Sequence, residues 1–303
     1  MKKPSEIELL NYNVAYSKDS DFSAFARLLQ SKWREKKGYP YANLGNFLEL
    51  QFAKTTKANF LTENIKTLVT NAVANAKHDR AMIGEPRIWN NLLSSQPLCF
   101  NLFGELYYDL KLATKYFKEL FPNRIEEVTS IKFEYSAGRG NKAYTGDHSA
   151  FDVFVEYNNL GKRGFIGMEV KYAESLKEET QEKANETYLR HEEQYLRLTT
   201  LSHFKKDAIL VIKQVPVSQI WRDHLLSLAH LKDYDEGFFV FLFPKENSDC
   251  QNGVNEYKKY LASEFEVQTG FYSRYLEEFI KTLKIICNES WVNELEERYL
   301  GEH

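Results

Sequence analysis

Three charged residues near the middle of the chain have types and a spacing that could act on a phosphate ester. Asp152 lies in the segment 149–157, and Glu169 and Lys171 lie in the segment 164–172. Both segments alternate apolar and polar side chains, a pattern typical of β-strands. Because alternate residues of a strand share one face, Glu169 and Lys171 are predicted to be neighbours on the face opposite an apolar one.

The pairing of these two strands decides whether the carboxylates meet. If Tyr157 pairs with Gly164 in an antiparallel hairpin, Asp152 lies directly opposite Glu169, with Cβ atoms about 5 Å apart. Opposed carboxylates repel each other, and a divalent cation between them removes that repulsion. A few oxygen ligands that leave room for water and phosphate suit Mg²⁺ or Mn²⁺. Lys171 could then orient a water, help deprotonate it, or stabilise charge on a phosphate.

Hydrophobic periodicity predicts the elements that must position these residues. In the middle of the chain the predicted order is helix 97–120, strands 128–135, 149–157 and 164–172, helices 178–202 and 217–231, and a buried strand, GFFVFLF, beginning at Gly237. Further helices are predicted from a cap at Asp19 or Ser20 to Lys37, and over 62–77, 252–262, 272–284 and 290–299. The predicted class is therefore α/β.

Composition supports a well-packed globular chain. The 303 residues are 43% hydrophobic and include 21 Phe and 19 Tyr but only 14 Gly and 7 Pro, which favours long helices over a turn-rich all-β fold. The formal net charge of −3 excludes a strongly basic coat, so local basic patches must hold any anionic partner. The cysteines Cys99, Cys250 and Cys287 are far apart, which argues against a disulfide framework or a cysteine zinc site.

Several other functions lack their sequence signals. The first residues have no apolar signal-peptide core, and no run approaches the roughly 20 apolar residues of a membrane span. We therefore expect a cytoplasmic protein that does not bind membranes. The sequence has neither GxxxxGK[ST] nor GxGxxG, so we expect no nucleotide cofactor, and it has neither GxSxG nor HExxH.

The motifs around the three charged residues resemble those of the PD-(D/E)XK nuclease superfamily. Asp152 in GDHSAFDVFVEY and Glu169-Val170-Lys171 in GFIGMEVKYAES match the family pattern, although Phe151 stands where the family name has proline. The element order over about 97–243 is also similar, in particular to a bacterial branch of restriction endonucleases. The resemblance implies Asp152, Glu169 and the Val170 backbone carbonyl as metal ligands, with Lys171 at the attacking water.

The resemblance also implies further site residues. The helix before the strands often adds an acidic ligand in this superfamily, and here it carries Glu105. The helix after the third strand sometimes adds a polar residue, and here Gln194 shares a stripe with packing residues. Arg139 and Lys142 lie in a glycine-rich loop close to Asp152, which we expect to be flexible and able to contact a backbone phosphate. Each of these residues could instead be an ordinary surface or boundary residue.

Together these observations predict a restriction-endonuclease-like α/β core at 96–245 in a single domain of 1–303, with helical extensions at 1–95 and 246–303. The predicted function is that of a Mg²⁺- or Mn²⁺-dependent endonuclease that hydrolyses DNA. A homodimer would fit this function, because cutting both strands of a palindrome favours two-fold symmetry.

Three alternatives stay open. The first is a nuclease-like fold that binds nucleic acid or a partner protein without cutting. The second is a purely structural protein. The third is that Asp152, Glu169 and Lys171 form simple cross-strand ion pairs on a solvated sheet face.

Overall fold

The computed structural model describes residues 3–177 and 179–301. In that part of the chain one mixed sheet contains the strands β1 (Glu127–Tyr135), β2 (Phe151–Asn159), β3 (Lys162–Val170), β4 (Glu236–Phe243) and β5 (Phe271–Tyr275), in that order. The first three are antiparallel neighbours, and β4 and β5 add in parallel. The predicted α/β class, with a three-stranded meander and a further buried strand, is confirmed.

The β2–β3 hairpin has the predicted pairing of Tyr157 with Gly164. Its loop is a two-residue turn at Leu160 and Gly161, whose φ angles are 49° and 78°. Positive φ at both central positions is the mark of a type I′ turn, whose twist matches that of the flanking strands. Both strands therefore run up to this turn, and residues 158–159, which lie beyond the strand predicted over 149–157, belong to β2.

The N-terminal part of the chain is helical, as predicted. Its helices are α1 (Glu6–Asn11), α2 (Asp21–Lys36), α3 (Leu50–Thr56), α4 (Glu63–Asp79), α5 (Arg87–Asn90), α6 (Ser95–Tyr108) and α7 (Leu110–Leu120). The single helix predicted over 97–120 is wrong, because Asp109 divides it into α6 and α7. The Asp109 carboxylate accepts hydrogen bonds from the amides of Lys111 and Leu112 and so caps α7.

The remaining helices follow the hairpin. They are α8 (Gln181–Leu198), α9 (Ile209–Ile212), α10 (Ser218–His230), α11 (Ser248–Lys258), α12 (Glu266–Thr269), α13 (Leu276–Ile286) and α14 (Ser290–Tyr299). The helix predicted over 272–284 is wrong at its start, where β5 pairs with β4. The segment predicted as a helical C-terminal extension thus also supplies a strand of the sheet. Among the described residues, none of the helices is both long and apolar enough to cross a membrane.

Helices cover both faces of the sheet. Val153, Ile166 and Met168 pack in one cluster with residues of α6, α7 and α13. On the other face, Phe154 and Phe165 pack in a second cluster with residues of α8, α10 and α11. The face that carries Glu169 and Lys171 is therefore buried beneath helices, and the alternative of a solvated sheet face is wrong. The charged residues lie where this second layer opens at the ends of the strands.

Candidate active site

The hairpin brings Asp152 and Glu169 together at the ends of β2 and β3. The two strands keep one unbroken register up to the pair of Val153 with Met168, and the next opposed positions are Asp152 and Glu169. The Oδ2 atom of Asp152 accepts a hydrogen bond from the Val170 amide at 2.8 Å. The side chain of Asp152 thus occupies the place where the backbone ladder would continue, and its carboxylate lies beside β3.

Lys171 and Gln219 both contact the Glu169 carboxylate. The Lys171 Nζ atom lies 2.7 Å from Glu169 Oε1, and the two side chains are only 12% and 10% exposed. Gln219, on α10, donates a hydrogen bond to the same oxygen at 3.0 Å. Glu169 is therefore held in one orientation by Lys171, the first residue after β3, and by a helix residue.

Burial and neighbouring charges change the pKa values of this group. Burial, followed by the charges of Glu169 and Glu134, raises the pKa of Asp152 well above its usual range. Burial alone would lower the pKa of Lys171, but the carboxylates of Glu169, Asp152 and Glu174 outweigh it and raise that pKa. The site thus holds a charged ammonium group near the Asp152 carboxyl group, whose ionisation is unfavourable without a further cation.

A third carboxylate, Glu134 on β1, lies in line with Asp152 and Glu169. Its place in this carboxylate row was not predicted from the sequence. The β1–β2 register pairs Tyr135 with Phe151, so that Glu134 lies across from Asp152. Adjacent strands therefore present three acidic side chains in sequence, from Glu134 through Asp152 to Glu169. All three line one cavity of about 410 Å³.

The backbone turns Glu134 toward this cavity. Its φ angle is 49°, a left-handed conformation that is uncommon for residues other than glycine and that often occurs at functional sites. Gln96, in the first turn of α6, donates a short hydrogen bond to Glu134 Oε1. Burial, aided by the charge of Glu169, raises the pKa of Glu134 to about 7, although Gln96 and Arg139 oppose the shift.

Helix α10 contributes a polar face to the cavity. Gln219, Arg222 and Asp223 are three and four residues apart, so they lie on one side of the helix. Arg222 forms a two-pronged ion pair with Glu179 at 2.9 and 3.1 Å. Asp223 is 7% exposed, and its Oδ2 atom has no hydrogen-bond partner among the described residues. Burial and the charge of Glu169 raise the pKa of Asp223.

Two residues implied by the resemblance lie elsewhere. Glu105 accepts hydrogen bonds from Thr62 and Asn64 at the start of α4, and it is outside the set of described residues that line the cavity. Gln194 is buried beside Gly146 and is also outside that set. Glu105 lies farther along α6 than Gln96, and α10 rather than α8 supplies the polar helix face. The structure therefore does not bring Glu105 or Gln194 to the site.

The loop 136–147 is anchored, contrary to the expectation of flexibility. The Arg139 guanidinium donates to the backbone carbonyls of Arg80 and Glu134, so it supports the loop next to the site. Arg197 donates to the Lys142 carbonyl at 3.1 Å, while Lys142 itself is exposed. Phosphate contacts by Arg139 and Lys142 stay a prediction.

The carboxylate oxygens of the cavity that accept no hydrogen bond from described residues are suitable ligands for a hard divalent cation. Within the described part of the chain, neither Asp152 Oδ1 nor Glu169 Oε2 accepts a hydrogen bond from the protein. No three His, Cys, Asp or Glu side chains of residues 3–177 and 179–301 are grouped closely enough to hold a metal by themselves. A bound ion would therefore need a carbonyl oxygen or water as well, which is usual for Mg²⁺.

The missed site residues had only weak sequence signals. Alternation placed Glu134 and Lys132 together on one face of β1, but the β1–β2 register was needed to align Glu134 with Asp152. In QIWRDHLLSLAH, polar residues interrupt an otherwise apolar helix. Because charged residues are seldom fully buried without a partner, Arg222 and Asp223 were the signal that could have been used.

We predict that Glu134→Gln changes how stability depends on pH in metal-free protein. A carboxyl group whose pKa is raised on folding keeps its proton in the folded state, so stability falls as pH rises from about 4.5 through about 7. Glutamine removes this loss. In EDTA, we expect the difference in melting temperature, Glu134→Gln minus wild type, to be more positive at pH 8 than at pH 5. Glu127→Gln, an exposed change on the same strand, should give the same difference at both pH values; equal behaviour of the two variants would contradict the assignment.

Comparison with known proteins agrees with this geometry. The chain matches the PD-(D/E)XK nuclease superfamily over residues 17–301, which extends the resemblance from the predicted core to the helices on both sides. No curated protein and no solved structure matches the chain. The family match spans nearly the whole sequence and includes the strands that carry Asp152 and Glu169, and Lys171 directly after β3. This chain is a member of the PD-(D/E)XK nuclease superfamily.

Proposed function

We propose that the protein is a metal-dependent endonuclease of the restriction type that hydrolyses DNA phosphodiester bonds. One observation carries the proposal: Asp152 and Glu169 are opposed at the ends of paired strands, and the Lys171 ammonium lies 2.7 Å from Glu169. Membership of a nuclease superfamily supports the reaction class. Two carboxylates and a lysine in one cavity are suited to holding a cation and a phosphate together.

Asp152 and Glu169 would hold Mg²⁺ or Mn²⁺ through the oxygens that accept no hydrogen bond from the described protein. The Val170 carbonyl is the proposed third ligand, because the amide and carbonyl of a strand residue face the same neighbour and the Val170 amide faces Asp152. When bound, the cation would act as a Lewis acid and lower the pKa of a water.

Lys171 would position the attacking water and offset negative charge that develops on the phosphate. Its ion pair with Glu169 favours the protonated amine, so we assign it orientation and charge stabilisation rather than proton abstraction. Gln219 would keep Glu169 from rotating. These residues are fixed before the substrate arrives, and such preorganisation is a major source of rate acceleration.

DNA as the substrate, endonucleolytic cutting and dimer formation are parts of the same proposal. A two-fold dimer would place two such sites on the two strands of a palindrome. Restriction-type activity would require base contacts in the grooves, because phosphate contacts carry no sequence information.

Metal binding separates this proposal from a nuclease-like fold that binds nucleic acid without cutting. We expect Mg²⁺ or Mn²⁺ to raise the melting temperature of the wild type, since a ligand that binds only the folded state stabilises it by about 2.7 kcal/mol at a concentration of about 100 Kd. Asp152→Asn should abolish this increase while remaining folded, because it removes a carboxyl group whose charge is disfavoured by burial.

Glu156→Gln is the matched control. Glu156 is a carboxylate on the same strand, but it is bound by Ser130, Lys132 and Tyr234 away from the cavity. This variant should keep the metal-induced increase. A wild type that gains no stability from either metal would favour the non-cutting or structural alternatives.

A further inference from the structure

A second cavity of about 720 Å³ adjoins the candidate active site. The two cavities share Arg87, Glu174 and Ser175 as lining residues, so they lie side by side. The second cavity lies between the start of α2, the segment before α6 and the segment that follows β3. A chain-like molecule in the active site could therefore continue into it.

The two cavities differ in charge. Six acidic and three basic side chains line the active-site cavity, whereas four basic and three acidic side chains line the second. In the second cavity Arg27 is paired with Asp19 at 2.7 Å and Lys177 with Asp249 at 2.9 Å. Phosphates should therefore meet repulsion in the first cavity and a small excess of positive charge in the second.

Outside these two ion pairs, the second cavity has two basic side chains, Arg87 and Lys18, and one acidic side chain, Glu174, so the excess is one positive charge. Within the described residues, neither basic side chain forms an ion pair or a hydrogen bond with the protein, and both are exposed. A guanidinium group presents a planar fork of donors that matches two phosphate oxygens. Arg87 lies on the boundary between the cavities because it lines both.

Arg87 is connected to the carboxylate row through Gln96. The Gln96 amide group donates to Glu134 and to the Met82 carbonyl, and its oxygen accepts from the Gly84 amide at 3.0 Å. The Arg87 guanidinium lies against Gly84, where an added Cβ would be 3.2 Å from its Nε and Nη2 atoms. Arg87 therefore lies beside a backbone segment whose hydrogen bonds through Gln96 reach Glu134.

We propose that the second cavity holds the strand being cut, with Arg87 binding the phosphate next to the scissile one and Lys18 binding a phosphate farther along. This inference rests on the proposed function, since it takes the scissile phosphate to lie at Asp152 and Glu169. The two free cations offset the repulsion between the acidic cavity and a polyanion. They bind phosphates and not bases, so they fix the register of the strand without reading its sequence.

The test measures binding of fluorescein-labelled oligonucleotides of mixed sequence, single-stranded and duplex, at several salt concentrations. Two backgrounds are used: the wild type, measured in EDTA, and the Lys171→Met variant, measured in Mg²⁺. Arg87→Gln and Lys18→Gln are each introduced into both backgrounds and compared with the unsubstituted background. We expect Arg87→Gln to weaken binding roughly tenfold at low salt and to reduce the salt dependence by about one released ion. Lys18→Gln should have a smaller effect in the same direction, and both effects should be independent of sequence.

Lys118→Gln is the control, because it removes one exposed charge from α7, outside both cavities. Affinities and salt dependences equal to those of this control, or no binding by wild type, would overturn the proposal. If Arg87→Gln weakens binding but the wild type never cuts, the phosphate-binding role of Arg87 stands and the proposed activity fails. If the wild type cuts and Arg87→Gln binds like the control, only this inference fails.

Discussion

Replacing Lys171 by methionine is expected to lower the rate of DNA cleavage by about 10³-fold, the usual scale for loss of a positioned catalytic group. Methionine keeps most of the buried volume and removes the charge that lies 2.7 Å from Glu169. Because the side chain is only 12% exposed, alanine would also leave a cavity, and methionine separates loss of charge from loss of packing. The measurement is the initial rate of cutting in Mg²⁺, with the circular dichroism melting curve recorded on the same protein.

The matched control is Lys132→Met. Lys132 also forms an ion pair with a glutamate of the same sheet, Glu156, at 2.9 Å, but it lies outside the active-site cavity. The Lys132→Met variant should cut DNA at the wild-type rate. Retention of most activity by Lys171→Met, in a protein that melts cooperatively, would remove Lys171 from the mechanism.

The largest effect on stability is expected for Arg298→Met, at about 3–5 kcal/mol of unfolding free energy. Arg298 lies on α14, is fully buried and stacks over Trp33 at 4.4 Å. Its guanidinium donates to Gln30 at 3.0 Å and to both the carbonyl and the side-chain oxygen of Asn59. Among the described residues, methionine would leave the side-chain oxygens of Gln30 and Asn59 without a donor, whereas the Asn59 carbonyl would keep the hydrogen bond from Asn101. Urea denaturation measures the change.

Arg190→Met provides the comparison, because Arg190 is 72% exposed and, among the described residues, forms an ion pair only with Glu186 on its own helix. Its effect should be within about 0.5 kcal/mol. If Arg298→Met were equally mild, or produced two separate unfolding transitions, the N- and C-terminal helices would not be one cooperative unit with the sheet. The prediction of a single domain over 1–303 would then fail.

The central hairpin could be predicted from the sequence because its signals are local. Alternating side chains fixed which residues share a face, and one pairing, Tyr157 with Gly164, determined the whole register. From these two facts Asp152 and Glu169 had to be opposed. The motif resemblance then added a reaction class without requiring any long-range contact.

The rest of the site depends on contacts between distant parts of the chain. Glu134 reaches the row only through the β1–β2 register and a left-handed backbone angle. Gln219 and Asp223 reach it only because α10 packs over the second face of the sheet. Glu105 was chosen on the correct helix, but the rotation and position of α6 bring Gln96 to the cavity instead.

The part that the flanking segments play in the fold also depends on contacts between distant parts of the chain. The resemblance was visible over about 97–243, whereas the family match covers 17–301. Buried polar contacts between α2, α14 and the segment before α4 join the two ends of the chain. β5 looked helical in isolation, but pairing with β4 outweighs that local tendency.

The most direct test of the account is cutting of a pool of circular plasmids by the wild type in Mg²⁺ or Mn²⁺, in EDTA, and after excess metal is restored. Circular DNA has no ends, so its conversion to nicked or linear forms requires an endonuclease. Asp152→Asn runs beside the wild type. The account predicts cutting with metal, none in EDTA, recovery on restoring metal, and none by the variant. Cutting that persists in EDTA, or equal cutting by Asp152→Asn, would contradict it.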